Sequence, residues 1–212
     1  MGDNRIRMIC CDLDGTLLDR KQRISEGNLT AVRMAQEAGI FVTICSGRIP
    51  SMLQLFAREL KIEGPLIACN GALITHAVTG ETIEGVPMDQ EDVDRLLAFC
   101  RKEELDHSVL TLGVSYFSKN SKRVQRFLNY NATAEDSGVS GIPIAYFEDE
   151  PGSHFGETVY KVLVNRLKEN DLEKTMDFVE NHTGLHHTSS DDGLLDISAM
   201  GVSKGTGVLS LA

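Results

Sequence analysis

The feature that constrains this chain most is the run Ile6-Arg7-Met8-Ile9-Cys10-Cys11, which ends abruptly in Asp12-Leu13-Asp14-Gly15-Thr16. The run reads as a strand buried on both faces of a parallel sheet. Unpaired carboxylates are costly inside a sheet core. They are tolerable at the carboxyl end of a strand, where open α/β sheets place their ligand crevice. A spacing of two sets Asp12 and Asp14 on one side of an extended segment, while Gly15 marks the point where the chain turns. The plain alternative is a strand-end turn in which aspartate caps the local backbone.

Two further strand ends follow the same pattern. Ser25 is a suitable N-cap for a helix to about Ala38, with Leu29, Val32, Met34 and Ala35 as its inner stripe and Gly39 as its stop. The β-branched stretch Ile40–Cys45 then ends at Ser46-Gly47-Arg48. Pro50 opens the next helix, through Leu53, Phe56 and Leu60, and Pro65–Cys69 ends at Asn70-Gly71-Ala72. Three successive strand ends carrying small, polar or charged groups predict a doubly wound parallel sheet with one functional edge.

From Leu73 the rhythm changes. A hairpin over 73–83 turns at Thr79-Gly80, and a helix near 91–103, a strand pair over 109–117 and a helix near 122–130 follow. Residues 131–141 read as a loop, 158–165 as a strand, 172–180 as a helix, and 185–188 and 194–197 as short strands. The expected organisation is a Rossmann-like core made of residues 1–83 and 191–212, with an α+β cap inserted over 84–190. The chain then reads Gly201-Val202-Ser203-Lys204-Gly205, the opening of a further helix.

The net charge of −10 argues against a nucleic acid or an anionic membrane as partner, yet leaves room for a small phosphorylated ligand. No apolar run approaches the roughly 20 residues of a membrane span, and no secretory signal is expected. Five cysteines without C-x-x-C spacing suggest free thiols in a reducing cytoplasm. Cys45-Ser46-Gly47-Arg48 is too short a loop to wrap an anion in the manner of a cysteine phosphatase. His186 and His187 alternate faces on a predicted strand and read as a solvent-facing pair rather than metal ligands. Asp191-Asp192-Gly193 reads as a hairpin turn.

Asp12-Leu13-Asp14-Gly15-Thr16, Ser46-Gly47-Arg48, Asn70-Gly71-Ala72 and Val202-Ser203-Lys204-Gly205, in this order, resemble the motifs of the haloacid-dehalogenase-type phosphatases, most closely the Cof-type subgroup with its α/β cap. The resemblance covers essentially the whole chain. It implies a Mg²⁺-dependent phosphatase for small phosphorylated metabolites, such as sugar phosphates or phosphorylated cofactors. Such chemistry needs a nucleophile, a proton donor to the leaving oxygen, and cations to offset charge. Asp12 would attack phosphorus and form an aspartyl phosphate, and Asp14, arriving protonated, would donate to the leaving oxygen and then activate water.

By the same resemblance, the Asp12 side chain and Asp14 backbone carbonyl would bind Mg²⁺, and Lys204 would balance charge on Asp12 and phosphate. Ser46 with neighbouring backbone N–H groups would grip phosphate, Leu13, Gly47, Arg48 and Asn70 joining the binding set, and Thr16 would order the turn after Asp14. Substrate choice is expected in the cap, around Tyr116-Phe117 and 131–140. A phosphomutase and a non-catalytic phosphometabolite-binding protein are the alternatives. The family pattern also includes a fourth, acidic motif beyond the lysine, whereas the sequence shown ends eight residues after Lys204. The expectation is therefore a shortened chain whose Asp12 strand is left as an apolar edge, to be covered by a missing C-terminal segment or an oligomeric partner.

Overall fold

The computed structural model describes residues 5–118, 120–147, 156–191 and 193–212. The chain divides into two compact units, residues 1–85 with 203–212, and residues 86–202.

The first unit begins with β1 (Met8–Cys11), α1 (Glu26–Glu37) and β2 (Phe41–Ile44). Ser25 caps α1, its side chain accepting from the Asn28 N–H at 3.2 Å. Only Val32 of the expected stripe is fully buried, and Met34 is 63% exposed. Position 34 falls off the 3.6-residue period that 32 and 35 keep, so its apolar character does not turn it inward. Pro50–Leu53 is a 3-10 turn leading into α2 (Gln54–Glu59), and β3 (Pro65–Ala68), β4 (Leu73–His76) and β5 (Thr82–Gly85) follow. β1 and β2 pair in parallel from Met8↔Phe41 to Cys11↔Ile44, and a parallel bridge Cys45↔Ile67 carries the order on to β3. β3, β4 and β5 then form an antiparallel set. The expected Rossmann-like α/β core is present. Among the described residues β1 pairs with no strand but β2, and its four residues are half-buried.

The second unit runs α3 (Gln90–Lys102), β6 (Asp106–Thr111), β7 (Ser115–Phe117), α4 (Val124–Asp136), β8 (Ile144–Tyr146), β9 (Val159–Asn165), α5 (Asp171–His182), β10 (Leu185–Asp191) and β11 (Leu194–Ala199). Its six-stranded sheet has the order β10-β11-β9-β6-β7-β8, antiparallel except between β7 and β8. Val93, Leu96, Leu97 and Cys100, spaced along one face of α3, pack with Val162, Val164, Leu195 and Ile197 of the sheet. A buried ion pair joins Lys161 Nζ to Asp196 at 2.7 Å.

Several expectations change here. The chain leaves the second unit at 202/203 rather than at 190/191, because β11 pairs with both β10 and β9. The loop expected over 131–141 is helical as far as Asp136, since Tyr130 and Ala134 extend the buried stripe of Phe127. β8 was not expected at all; three residues are too few to show a period. Tyr116 and Phe117 are strand residues, 3% and 0% exposed, and serve the core instead of a specificity loop. His187 bonds Glu180 at 2.8 Å, and the His186 and His187 rings lie 6.1 Å apart, both residues half-buried rather than facing solvent. Asp191 pairs with Leu194 across the expected turn, and Asp192 lies outside the described residues. Among the described residues no helix is long and apolar enough to cross a membrane.

Candidate active site

The candidate catalytic, phosphate-binding and metal-binding residues lie in the first unit, at the carboxyl ends of β1, β2 and β3 and at the start of α6 (Lys204–Leu211), whereas the stretches expected to choose substrate lie in the second. After Cys11 the backbone turns at once. Thr16 N donates to the Leu13 carbonyl at 3.2 Å, and Gly15 takes φ 77°, a conformation that favours glycine. Leu13 is fully buried, and its N–H donates to Asp12 Oδ1 at 2.8 Å. That amide holds the Asp12 carboxylate, a different use from the phosphate contact expected of Leu13.

Lys204 reaches Asp12 through a specific piece of packing. The segment Cys69–Gly71 forms a tight turn after β3, with Asn70 at φ 57° and Gly71 at φ 99°. A Cβ on Gly71 would fall 2.1 Å from the Ser203 carbonyl oxygen, and one on Gly207 would fall 3.0 Å from Gly71 Cα. Two glycines therefore let α6 dock backbone to backbone on this turn. Ser203 and Thr206 close the helix N-terminus with a reciprocal capping box. Lys204 Nζ then sits 2.7 Å from Asp12 Oδ2, with both side chains about two-fifths exposed.

The second strand end is laced to the third. Ser46 N donates to the Ile67 carbonyl at 2.9 Å, Asn70 N to the Ser46 carbonyl at 3.0 Å, and Cys69 N to the Arg48 carbonyl at 2.8 Å. A Cβ on Gly47 would fall 2.7 Å from Asn70 Oδ1, so any side chain there would push the Asn70 amide aside. Ser46 is 1% exposed, and its Oγ accepts from Arg48 N at 3.3 Å. Burial pushes the Cys45 thiol up to about 11, offset only in part by Lys204. A thiol kept neutral at pH 7 is a poor nucleophile, which removes the cysteine-phosphatase reading on a second ground.

Arg48 is the surprise of the site. Its side chain is 7% exposed, and its planar fork grips both Asp14 oxygens, Nε to Oδ2 at 2.9 Å and Nη2 to Oδ1 at 2.7 Å. The guanidinium carbon stands 5.2 Å from the Phe56 ring centroid. Nη2 also donates to Gln22 Oε1. Asp14 is thus held by the partner that suits an ionised carboxylate, whereas the sequence reading expects it protonated. Gln22 and Phe56 were not foreseen as site residues. One lies in a polar connector and the other on an amphipathic stripe, and nothing in either pattern points to Arg48.

The structure brings Asp12 to Lys204 and Asp14 to Arg48, with Ser46, Gly47 and Asn70 on the adjoining strand ends. Among the described residues no group of three or more His, Cys, Asp or Glu side chains could hold a metal ion. What the strand end offers is the Asp12 carboxylate, held by Lys204 and the Leu13 amide, and the Asp14 backbone carbonyl two residues on. This hard-oxygen pair fits Mg²⁺, which keeps several waters and needs few protein ligands when phosphate supplies others.

The Rossmann-like core with its inserted unit, taken with the relatives that follow, identifies the chain as a phosphoric monoester hydrolase. Residues 9–212 match the family model described as haloacid dehalogenase-like hydrolase. The chain is 28% identical over 221 aligned residues to the 5-amino-6-(5-phospho-D-ribitylamino)uracil phosphatase YwtE of Bacillus subtilis, covering 98% of this chain and 76% of that protein. It is 25% identical over 203 residues to the pyridoxal phosphate phosphatase YbhA of Escherichia coli, covering 94% and 73%. A solved haloacid dehalogenase-like hydrolase from B. subtilis superimposes with a TM-score of 0.80 at 25% identity, covering 98% of this chain and 78% of the other. The chain belongs to the haloacid dehalogenase-like hydrolases, in the Cof-type subgroup that its motifs resemble.

Proposed function

We propose that this protein is a Mg²⁺-dependent phosphatase of small phosphorylated metabolites that works through an aspartyl phosphate on Asp12. One observation carries the reading: two carboxylates at one strand end are each paired with a cation of their own, Asp12 with Lys204 and Asp14 with Arg48. A nucleophile and a proton shuttle must differ in environment to take different roles. An Asp12 oxygen attacks phosphorus as the bond from phosphorus to the ester oxygen breaks, and Asp14 delivers a proton to that oxygen. Asp14 then takes a proton from water as the water oxygen attacks the aspartyl phosphate, which releases phosphate and restores Asp12. For the first transfer Asp14 Oδ2 must give up its bond to Arg48 Nε to carry the proton, while Oδ1 stays on Nη2.

Lys204 holds Asp12 in place and offsets charge on the incoming phosphate. Ser46 and the amides around Gly47 line the neighbouring strand end, with Asn70 beside them, and are assigned to phosphate. Asp12 and the Asp14 carbonyl would hold Mg²⁺, which supplies counter-charge for the phosphate dianion when bound. The substrates named for YwtE and YbhA are phosphorylated small molecules, and the same class is assigned here. Five free cysteines support a reducing cytoplasm as its compartment.

A binding-only role has one observation in its favour, the capture of both Asp14 oxygens by Arg48. Phosphate release from p-nitrophenyl phosphate separates the two readings. We expect release that requires Mg²⁺ and disappears in Asp12→Asn. Equal release by Asp12→Asn overturns the aspartyl-phosphate assignment, and metabolite binding by calorimetry without any turnover favours the binding-only role.

A further inference from the structure

We infer that Gln22 is a positioning residue for the proton shuttle, holding the Arg48 fork so that Asp14 keeps one orientation. The inference rests on the role proposed for Asp14. Residues 18–24 form a small hairpin-like loop, with an antiparallel bridge between Leu18 and Ile24. Asp19 locks it from within. Its Oδ1 accepts from Lys21 N at 2.8 Å and Arg23 N at 3.0 Å, and its Oδ2 accepts from Arg23 Nη2 at 3.1 Å. Gln22 N closes the turn on the Asp19 carbonyl at 3.0 Å.

Gln22 itself sits at φ 60°, a left-handed conformation that residues with a Cβ seldom take unless their surroundings enforce it. From there its Oε1 accepts from Arg48 Nη2, the nitrogen that also serves Asp14 Oδ1. A guanidinium as buried as that of Arg48 needs acceptors placed around it. Phe56 lies against the guanidinium, the Asp14 carboxylate takes one edge, and Gln22 fixes the remaining freedom of Nη2. A neutral amide suits this place. It accepts a hydrogen bond without competing with Asp14 for the charge, as a carboxylate would.

The test uses the full chain, with p-nitrophenyl phosphate as probe. Gln22→Met keeps the length of the side chain and removes the acceptor. We expect kcat to fall about tenfold with little change in KM, because orientation is lost and binding is not. In an Arg48→Lys background, which lacks the fork, the same substitution should change kcat by under about twofold. Equal factors in both backgrounds would show that Gln22 does not act through Arg48 and overturn the inference.

A second measurement does not depend on turnover. Hydrogen exchange at Arg48 Nε–H, followed by nitrogen-15 NMR, should be about tenfold faster in Gln22→Met than in the native chain. Unchanged exchange overturns the inference. Should the native chain release no Asp12-dependent phosphate, the phosphatase reading falls alone, and the exchange rate still decides whether Gln22 holds Arg48.

Discussion

Lys204 and Asp12 approach to 2.7 Å while remaining about two-fifths exposed. Solvent screens such a pair, and its worth to stability is at most about 1 kcal/mol. Its value to the proposed reaction is of another order, since a fixed cation beside developing charge is worth about 10²–10³ in rate. Lys204→Ala should therefore leave the thermal midpoint nearly where it was and lower kcat by about a hundredfold. A large fall in midpoint would mean that the lysine serves the fold instead. The places of the aspartates, Ser46 and Lys204 are legible in the sequence because each ends or opens an element with a recognisable pattern. The fork of Arg48 on Asp14 and its support by Gln22 are not, because they join positions 14, 22 and 48 through side chains that leave no periodicity behind.

The elements owe their positions to close backbone contacts as much as to apolar burial, and α6 shows this best. It is a short helix with a fully buried residue only at Gly207, and its capping box and its seat on the Cys69–Gly71 turn determine where it starts. Gly71→Ala would add a Cβ 2.1 Å from the Ser203 carbonyl oxygen at a backbone φ of 99°. No rotamer can relieve a clash with a carbonyl, so the turn or the helix must shift. We expect a loss of about 2–3 kcal/mol in urea unfolding, at the upper end for a single substitution. Activity should fall as well, as Lys204 draws back from Asp12. Undiminished stability would refute the tight seat.

The strands and helices themselves could be read because strong periodicity and caps announce them. Ser25 and Pro50 mark their starts where the structure has them. β8 and the last turns of α4 escaped, the first because it is three residues long and the second because Asn131 and Thr133 resemble loop residues while Ala134 still faces inward.

At the scale of the molecule, two units each enclose their own apolar interior, and the chain passes between them twice, at 85/86 and 202/203. The second crossing is not legible in the sequence, because Leu194–Ala199 looks like any short strand, and only its pairing with β9 assigns it to the second unit. Units with separate cores open as separate cooperative blocks when one is weakened. Leu97 offers the means. It is fully buried on α3, among the residues that pack this helix on the sheet of the second unit. Leu97→Ala removes buried methyl groups and leaves a cavity, at a cost of about 2–5 kcal/mol. The loss should appear in one place. Amide hydrogen exchange read by mass spectrometry should show peptides from α3, β6, β9 and β11 losing protection, while peptides from β2 and β3 exchange as in the native chain. Asp12, Lys204 and Arg48 all belong to the first unit, so their mutual contacts should survive the substitution. Equal loss of protection in both units would show instead that the chain unfolds as a single block.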